Sequence, residues 1–179
     1  MIARRLLAGL CASLGLATTT AAQEAAAGAT GVFQVNPLGL LQVGPNVEVQ
    51  RQLSPGLAMG VGARLISLGL LTHVMIDDLR SAWTGTVNAV LYPRKNLTGW
   101  FYGPRVEIGK SDREHYTSDL LGGALEFGYR RVRPSGFTFS LGAQAGALRA
   151  NYTHKTDPSD TGRELYIFAM GVVYVGRAF

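Results

Sequence analysis

From Val32 onward the chain alternates apolar and polar residues with a period of two, and turn residues break the alternation at regular spacing. A period of two sends successive side chains to opposite faces of a strand. The pattern predicts an all-β chain of eight strands, at about 31–38, 45–54, 57–69, 81–93, 99–110, 119–133, 137–152 and 164–179. The connections fall into two classes that alternate along the chain. Ser54-Pro55-Gly56, Arg94–Thr98 and Pro134-Ser135-Gly136 are tight turns rich in Pro, Gly and Asn. The segments near 39–44, 70–80, 111–118 and 153–163 are mostly longer, and the last three read as polar loops. A meander that closes on itself puts alternate connections at opposite ends. Short turns at one end and longer loops at the other are the plan of an antiparallel up-and-down transmembrane β-barrel of the bacterial outer membrane.

The two faces differ in chemistry. On strand 5, Trp100, Tyr102, Val106 and Ile108 oppose Gly103, Arg105 and Glu107; on strand 6, Leu121, Leu125, Phe127 and Tyr129 oppose Gly122, Glu126 and Gly128. One face is apolar and free of mid-strand charge, as lipid requires. Aromatics gather where a membrane interface would lie: Phe33, Trp100, Tyr102, Tyr129, Phe137 and Phe139 at the short-turn end, and Trp83 near the other. Composition agrees. Only 16% of the 179 residues are charged, 23 are Gly, and after the N-terminus no apolar run is longer than Leu65–Leu71. A helical span needs about 18 apolar residues, so a polytopic helical membrane protein is excluded. Strand 8 is less clean, because Tyr166, Phe168, Met170 and Val172 make its second face apolar too. Pro37 and Pro104 cannot donate ladder hydrogen bonds, so bulges or strand ends are expected there.

The N-terminus sets the compartment. Arg4-Arg5, the apolar Leu6–Leu16 and the small residues ending at Ala22 have the three-part plan of a secretory signal peptide over 1–22. Residues 23–30 read as a flexible lead-in, and 31–179 as the barrel. Cleavage after Ala22 removes the single Cys, Cys11, and leaves 157 residues with 15 basic and 12 acidic side chains. No basic run interleaved with aromatics survives, so no nucleic-acid partner is expected.

An eight-stranded barrel is just wide enough for side chains to fill its interior. The inward list holds Glu48, Glu107 and Glu126 against Arg64, Arg105 and Arg130, with Asn88, Gln144, Thr84 and Thr86 to complete a network. The expectation is a self-satisfied polar plug, since an unpaired buried ion costs several kcal/mol. Paired Glu residues alone do not make a glycosidase, which needs an open cleft between them.

The outward loops carry the remaining candidate chemistry. His73, His115 and His154 lie there with Asp77, Asp78, Asp112, Asp119 and Asp157, but without metal-ligand spacing, so no metal or cofactor is expected. His115-Tyr116-Thr117-Ser118 resembles the His-x-Ser element of outer-membrane lipid A deacylases, but Thr117 stands at the Ser position and Asp119 replaces the following Asn. Ser111, Ser118 and Ser159 near loop His residues leave a palmitoyltransferase-like reading equally open. No base oriented toward a hydroxyl nucleophile can be read from the spacing.

The run Val35-Asn36-Pro37-Leu38-Gly39-Leu40-Leu41, then Asn46-Val47-Glu48-Val49 and Leu53-Ser54-Pro55, resembles the opening of a family of small, uncharacterised outer-membrane β-barrel proteins. Tyr92-Pro93 followed by Gly99-Trp100-Phe101-Tyr102-Gly103-Pro104 resembles a second landmark of that family. The resemblance implies an outer-membrane barrel and brings no catalytic residue. In architecture the chain is also similar to the small OmpA and OmpX barrels, with shorter loops. The ending on Phe179 after Val173 and Val175 resembles the signal by which outer-membrane barrels are recognised for assembly, with Arg177 a departure from it.

The expected function is a non-enzymatic outer-membrane barrel with a structural or surface-interaction role. Its expected partners are outer-membrane lipids, the barrel-assembly machinery during biogenesis, and an unidentified envelope or surface partner. The alternatives are a lipid-modifying enzyme on the same barrel and a secreted, lipocalin-like barrel with its apolar faces turned inward around a ligand.

Overall fold

The computed structural model describes residues 28–179. The signal peptide over 1–22 lies outside the described residues, as does most of the 23–30 lead-in. Eight antiparallel strands close in sequence order into one barrel: β1 (Gly31–Asn36), β2 (Asn46–Ser54), β3 (Leu57–Arg64), β4 (Leu79–Leu91), β5 (Gly99–Arg113), β6 (Tyr116–Val132), β7 (Phe137–His154) and β8 (Thr161–Ala178). Pairing of β1 with β8, from Val32 with Ala178 to Val35 with Val175, completes the ring and leaves no open sheet edge. Thr30 is tied to this seam, because its N–H donates to the Phe179 carbonyl at 2.9 Å.

The tight turns have a local cause. Gly56 and Gly136 adopt φ of 87° and 81°, a region that L side chains avoid, and each reverses the chain within a few residues. At the opposite end, β1–β2 is bridged by a 3-10 turn, Pro37–Leu41, and β3–β4 by a second, Ile66–Leu68, followed by a short helix α1 (Leu70–Met75). These two connections dock backbone on backbone. A Cβ on Gly69 would stand 2.3 Å from the Gly44 nitrogen, so only glycine permits the approach. The Leu71 N–H donates to the Gln42 carbonyl at 3.2 Å across the same contact.

Four sequence expectations change. The strand expected over 57–69 ends at Arg64, and the polar loop expected over 70–80 instead begins with the apolar helix α1. The 111–118 loop shrinks to Glu114-His115, because Ser111 and Asp112 pair with Ser118 and Thr117. Ladders are made by backbone groups, so a polar run extends a strand freely beyond an apolar band. Pro37 ends β1 by opening the 3-10 turn. Pro104 produces no bulge: it pairs with Leu125 in unbroken register, and toward β4 the ladder skips from Arg105 to Tyr102 without shifting. The register shifts fall at Gln52/Ser54 and Leu79/Ser81.

Candidate functional site

The barrel wall separates two chemistries. Phe33, Trp83, Trp100, Tyr102, Tyr129, Phe137 and Phe139 all lie exposed on the outer face. Trp100 stacks on Phe127 with centroids 5.1 Å apart and meets Tyr129 edge-on at 5.4 Å. On β6 the apolar stretch runs outward from Leu121 to Tyr129 and is closed by Asp119 at one end and Arg131 at the other. The eight residue steps from Leu121 to Tyr129, on a strand tilted by about 40°, make a band roughly 20 Å tall. Val173 and Val175 are half-buried on the outer side of β8, and Phe179 is exposed beside them.

All eight residues of the expected interior network, Glu48, Arg64, Asn88, Arg105, Glu107, Glu126, Arg130 and Gln144, are buried inside the ring. They assemble around three centres. The Arg105 guanidinium pairs with Glu48 and reaches the Glu126 carboxylate at 3.0 Å and the Tyr174 hydroxyl at 3.2 Å. Glu48 also accepts from Asn88 Nδ2 at 2.9 Å, Gln50 Nε2 at 2.5 Å and Gln34 Nε2 at 3.2 Å. Nearer the loop end, Arg64 pairs with Glu107 at 3.0 Å and donates to Gln144 Oε1 at 2.8 Å, while Thr84 Oγ1 donates to Glu107 at 3.0 Å. Nearer the turn end, Arg130 meets no carboxylate among the described residues. It donates to Gln34, Gln50, Tyr92 and Ser140 at 2.5–3.0 Å and lies over the Tyr92 and Phe101 rings at 5.6 and 5.4 Å. Three lumen arginines thus face three lumen glutamates, and the third arginine is held by neutral oxygens and aromatic faces, which suit a delocalised cation.

Apolar layers flank the network at both ends, which narrows the expectation of a polar interior. Below the network, at the turn end, Val32, Ala58, Val90, Leu97, Phe101 and Val132 pack an apolar floor. Above it, at the loop end, Ile66, Leu79, Ala82, Leu120 and Ala150 form a second apolar cluster. This upper layer surrounds a cavity of about 350 Å³, covered by the β1–β2 and β3–β4 connections. Sequence reading missed Gln34, Tyr92 and Tyr174 as network members, and it missed the upper cavity. The signal for both was parity. Tyr92, one residue past β4, continues the inward parity of Thr84, Thr86 and Asn88, and the apolar second face of β8 is the cavity wall.

In the outward loops the described histidines and hydroxyls are engaged mainly in stacking and turn contacts. His115 and His154 stack with centroids 6.2 Å apart, while His73 is spent on the Ser67 carbonyl at 2.7 Å. Among the described residues no three His, Cys, Asp or Glu side chains converge as metal ligands. Ser118 is buried and Thr117 exposed, and neither hydroxyl meets an imidazole. The one hydroxyl–imidazole contact in these loops, Thr156 Oγ1 to His154 Nδ1 at 3.1 Å, is part of a turn in which the same nitrogen accepts from the Thr156 and Asp157 N–H groups. In that turn Ser159 donates its hydroxyl to Asp157 at 2.6 Å and its N–H at 3.0 Å, and these bonds hold the Asp157 carboxyl below its usual range.

Compared with known proteins, the chain matches no family model, no curated protein and no solved structure. The family suggested by Val35–Leu41 and Gly99–Pro104 has no support from these comparisons, and the closed eight-stranded antiparallel barrel is what the structure shows.

Proposed function

We propose that this chain is an outer-membrane β-barrel whose outer face lies in lipid, whose lumen is sealed, and whose role is structural or surface-interacting rather than catalytic. The observation that carries the reading is the inversion of polarity across the wall. Large apolar side chains such as Val61, Ile108, Leu125, Phe127 and Leu141 are exposed outward, while the lumen charges are buried and paired or bonded. A continuous apolar belt around a monomer exceeds by far what water tolerates. The secreted, ligand-enclosing alternative needs the apolar faces of strands 3 to 7 turned inward, and they point outward. Charge at the ends of the barrel adds support. Arg51, Arg94, Lys95, Arg131, Arg133 and Arg177 are all exposed toward the turn end, with no exposed Asp or Glu side chain among the described residues there. Such a ring suits anionic phospholipid headgroups, at about 1 kcal/mol per cation near the surface.

Fractionation of cells making the full chain tests the location: recovery with outer membranes is expected, and recovery in the soluble periplasm would overturn it. Planar-bilayer recording tests the seal. No steady conductance is expected, because the ion-pair layer and the apolar floor fill the cross-section; a stable, large conductance would refute the sealed lumen.

A further inference from the structure

The longest apolar run after the N-terminus, Leu65–Leu71, is spent on the covering of the upper cavity rather than on the barrel wall. Together with Thr72–Ile76 it makes a lid without a single carboxylate, Lys or Arg. Leu71 and Met75 line the cavity and are also 47% and 67% exposed, so they mark its mouth. Leu70 and Val74 carry the apolar surface around the mouth onto the outside of the lid.

Inside, the walls are hydrocarbon and aromatic: Leu79, Ala82, Leu120, Leu148, Tyr166 and Phe168. Two ion pairs border the space, Arg64 with Glu107 and Arg113 with Glu164, each at 3.0 Å, so neither a cation nor a carboxylate is left over to meet a charged ligand. Polar atoms are left over. The hydroxyl of Thr72, a residue 4% exposed, and Gln42 Oε1 both belong to the lining and have no hydrogen-bond partner, and neither do the Nε atoms of Arg64 and Arg113, whose charge is already met by Glu107 and Glu164. A buried polar atom without a partner costs about 1–3 kcal/mol, so these atoms favour a ligand that brings one donor–acceptor group.

We propose that the loop-end cavity is a binding site for a small uncharged amphiphile: a hydrocarbon body with one hydroxyl or carbonyl oxygen, admitted between α1 and the barrel rim. A cavity of 150 Å³ holds benzene. By proportion this one, at about 350 Å³, takes about a dozen non-hydrogen atoms. That is the small end of the range for ligand pockets, which are mainly apolar with a few placed polar groups.

The methionines supply the test. Met75 and Met170 line the cavity, whereas Met59 is exposed on the outer face. The full chain, labelled with 13C in its methionine methyls and placed in lipid nanodiscs, is titrated with 1-decanol and separately with decanoate at neutral pH. Decanol is expected to shift Met75 and Met170 in a saturable way while Met59 moves only linearly with partitioning into lipid. Decanoate is expected to bind at least about tenfold more weakly, because its charge would be buried without a counter-ion. Ala82→Leu and Ala150→Phe, each filling the space from a different strand, are expected to abolish the saturable shifts while leaving the Met59 signal in place. Non-saturating shifts that run parallel at all three methyls would overturn the site. Tighter binding of decanoate would overturn its uncharged character. Either failure leaves the membrane reading standing, since that is decided by fractionation.

Discussion

Replacing Arg105 with Leu removes the centre of the lumen. The Arg105 side chain is fully buried, and its partners Glu48 and Glu126 are 0% and 4% exposed. Without the guanidinium, two carboxylates face each other in a space that water reaches poorly. Breaking a buried pair from one side costs about 3–5 kcal/mol, mostly the desolvation of the charge left behind. A barrel of ordinary stability has about 5–15 kcal/mol in hand, so about a fifth or more of it is lost. The assay is urea unfolding in phosphatidylcholine vesicles, followed by the emission of Trp83 and Trp100. The control that isolates charge from shape is the triple substitution Glu48→Gln, Arg105→Leu and Glu126→Gln. It removes all three charges and is expected to return to within about 2 kcal/mol of the parent. Arg80→Ala, which breaks a pair with Glu114 at 3.9 Å between side chains that are 60% and 56% exposed, is expected to cost about 0.5 kcal/mol or less. A single-mutant loss under about 1 kcal/mol, or a triple mutant as unstable as the single, would refute the view that a dry ion-pair layer holds the lumen together.

Three further outcomes follow from named contacts. Trp83 and Trp100 lie at opposite ends of the outer belt, so lipids brominated near the headgroup should quench both more strongly than lipids brominated near the chain ends; equal or reversed quenching would contradict the belt's placement. Gly69→Ala puts a Cβ 2.3 Å from the Gly44 nitrogen and should release the lid, read as lost hydrogen-exchange protection of the Leu71 amide, whereas Gly123→Ala, with nothing within 4 Å, should leave that amide unchanged. The Asp157 carboxyl, depressed by the Ser159 hydroxyl and N–H, should add to the order of its turn at any pH above the ordinary Asp value of about 3.9 and lose that contribution as pH falls through the lower folded value. NMR titration of the carboxyl should show Ser159→Ala raising it toward the ordinary value; an unmoved titration would dismiss the bond as its cause.

Much of the architecture is legible in the chain. Side chains alternate across a strand with a period of two, so Glu107 beside Ile108 already assigns opposite faces, and Pro134-Ser135-Gly136 already marks a reversal. The eight strands, their antiparallel order and the inward set around Arg105 follow from such local statements. The lid does not. Leu65–Leu71 carries no period that separates a strand from a buried turn, and the reading of 57–69 as one strand failed there. Beyond the end of β3 at Arg64 the chain packs Gly69 against Gly44, a contact between segments 25 positions apart.

The same division holds for the sites. Local sequence tells which side chains share a face, because parity is a property of the backbone. It did not determine which inward groups meet: whether Arg105 takes Glu48 or Glu107, or that Arg130 is left to Tyr92, Phe101 and amide oxygens. Those partnerships depend on closure of the ring, which brings β2, β5, β6 and β8 to one axis and brings Tyr174 to Arg105 across 69 positions of chain. Closure of the fold is what turns the apolar second face of β8 toward a cavity. One strand's apolar residues become a binding wall only when the strands opposite and the lid above are apolar too.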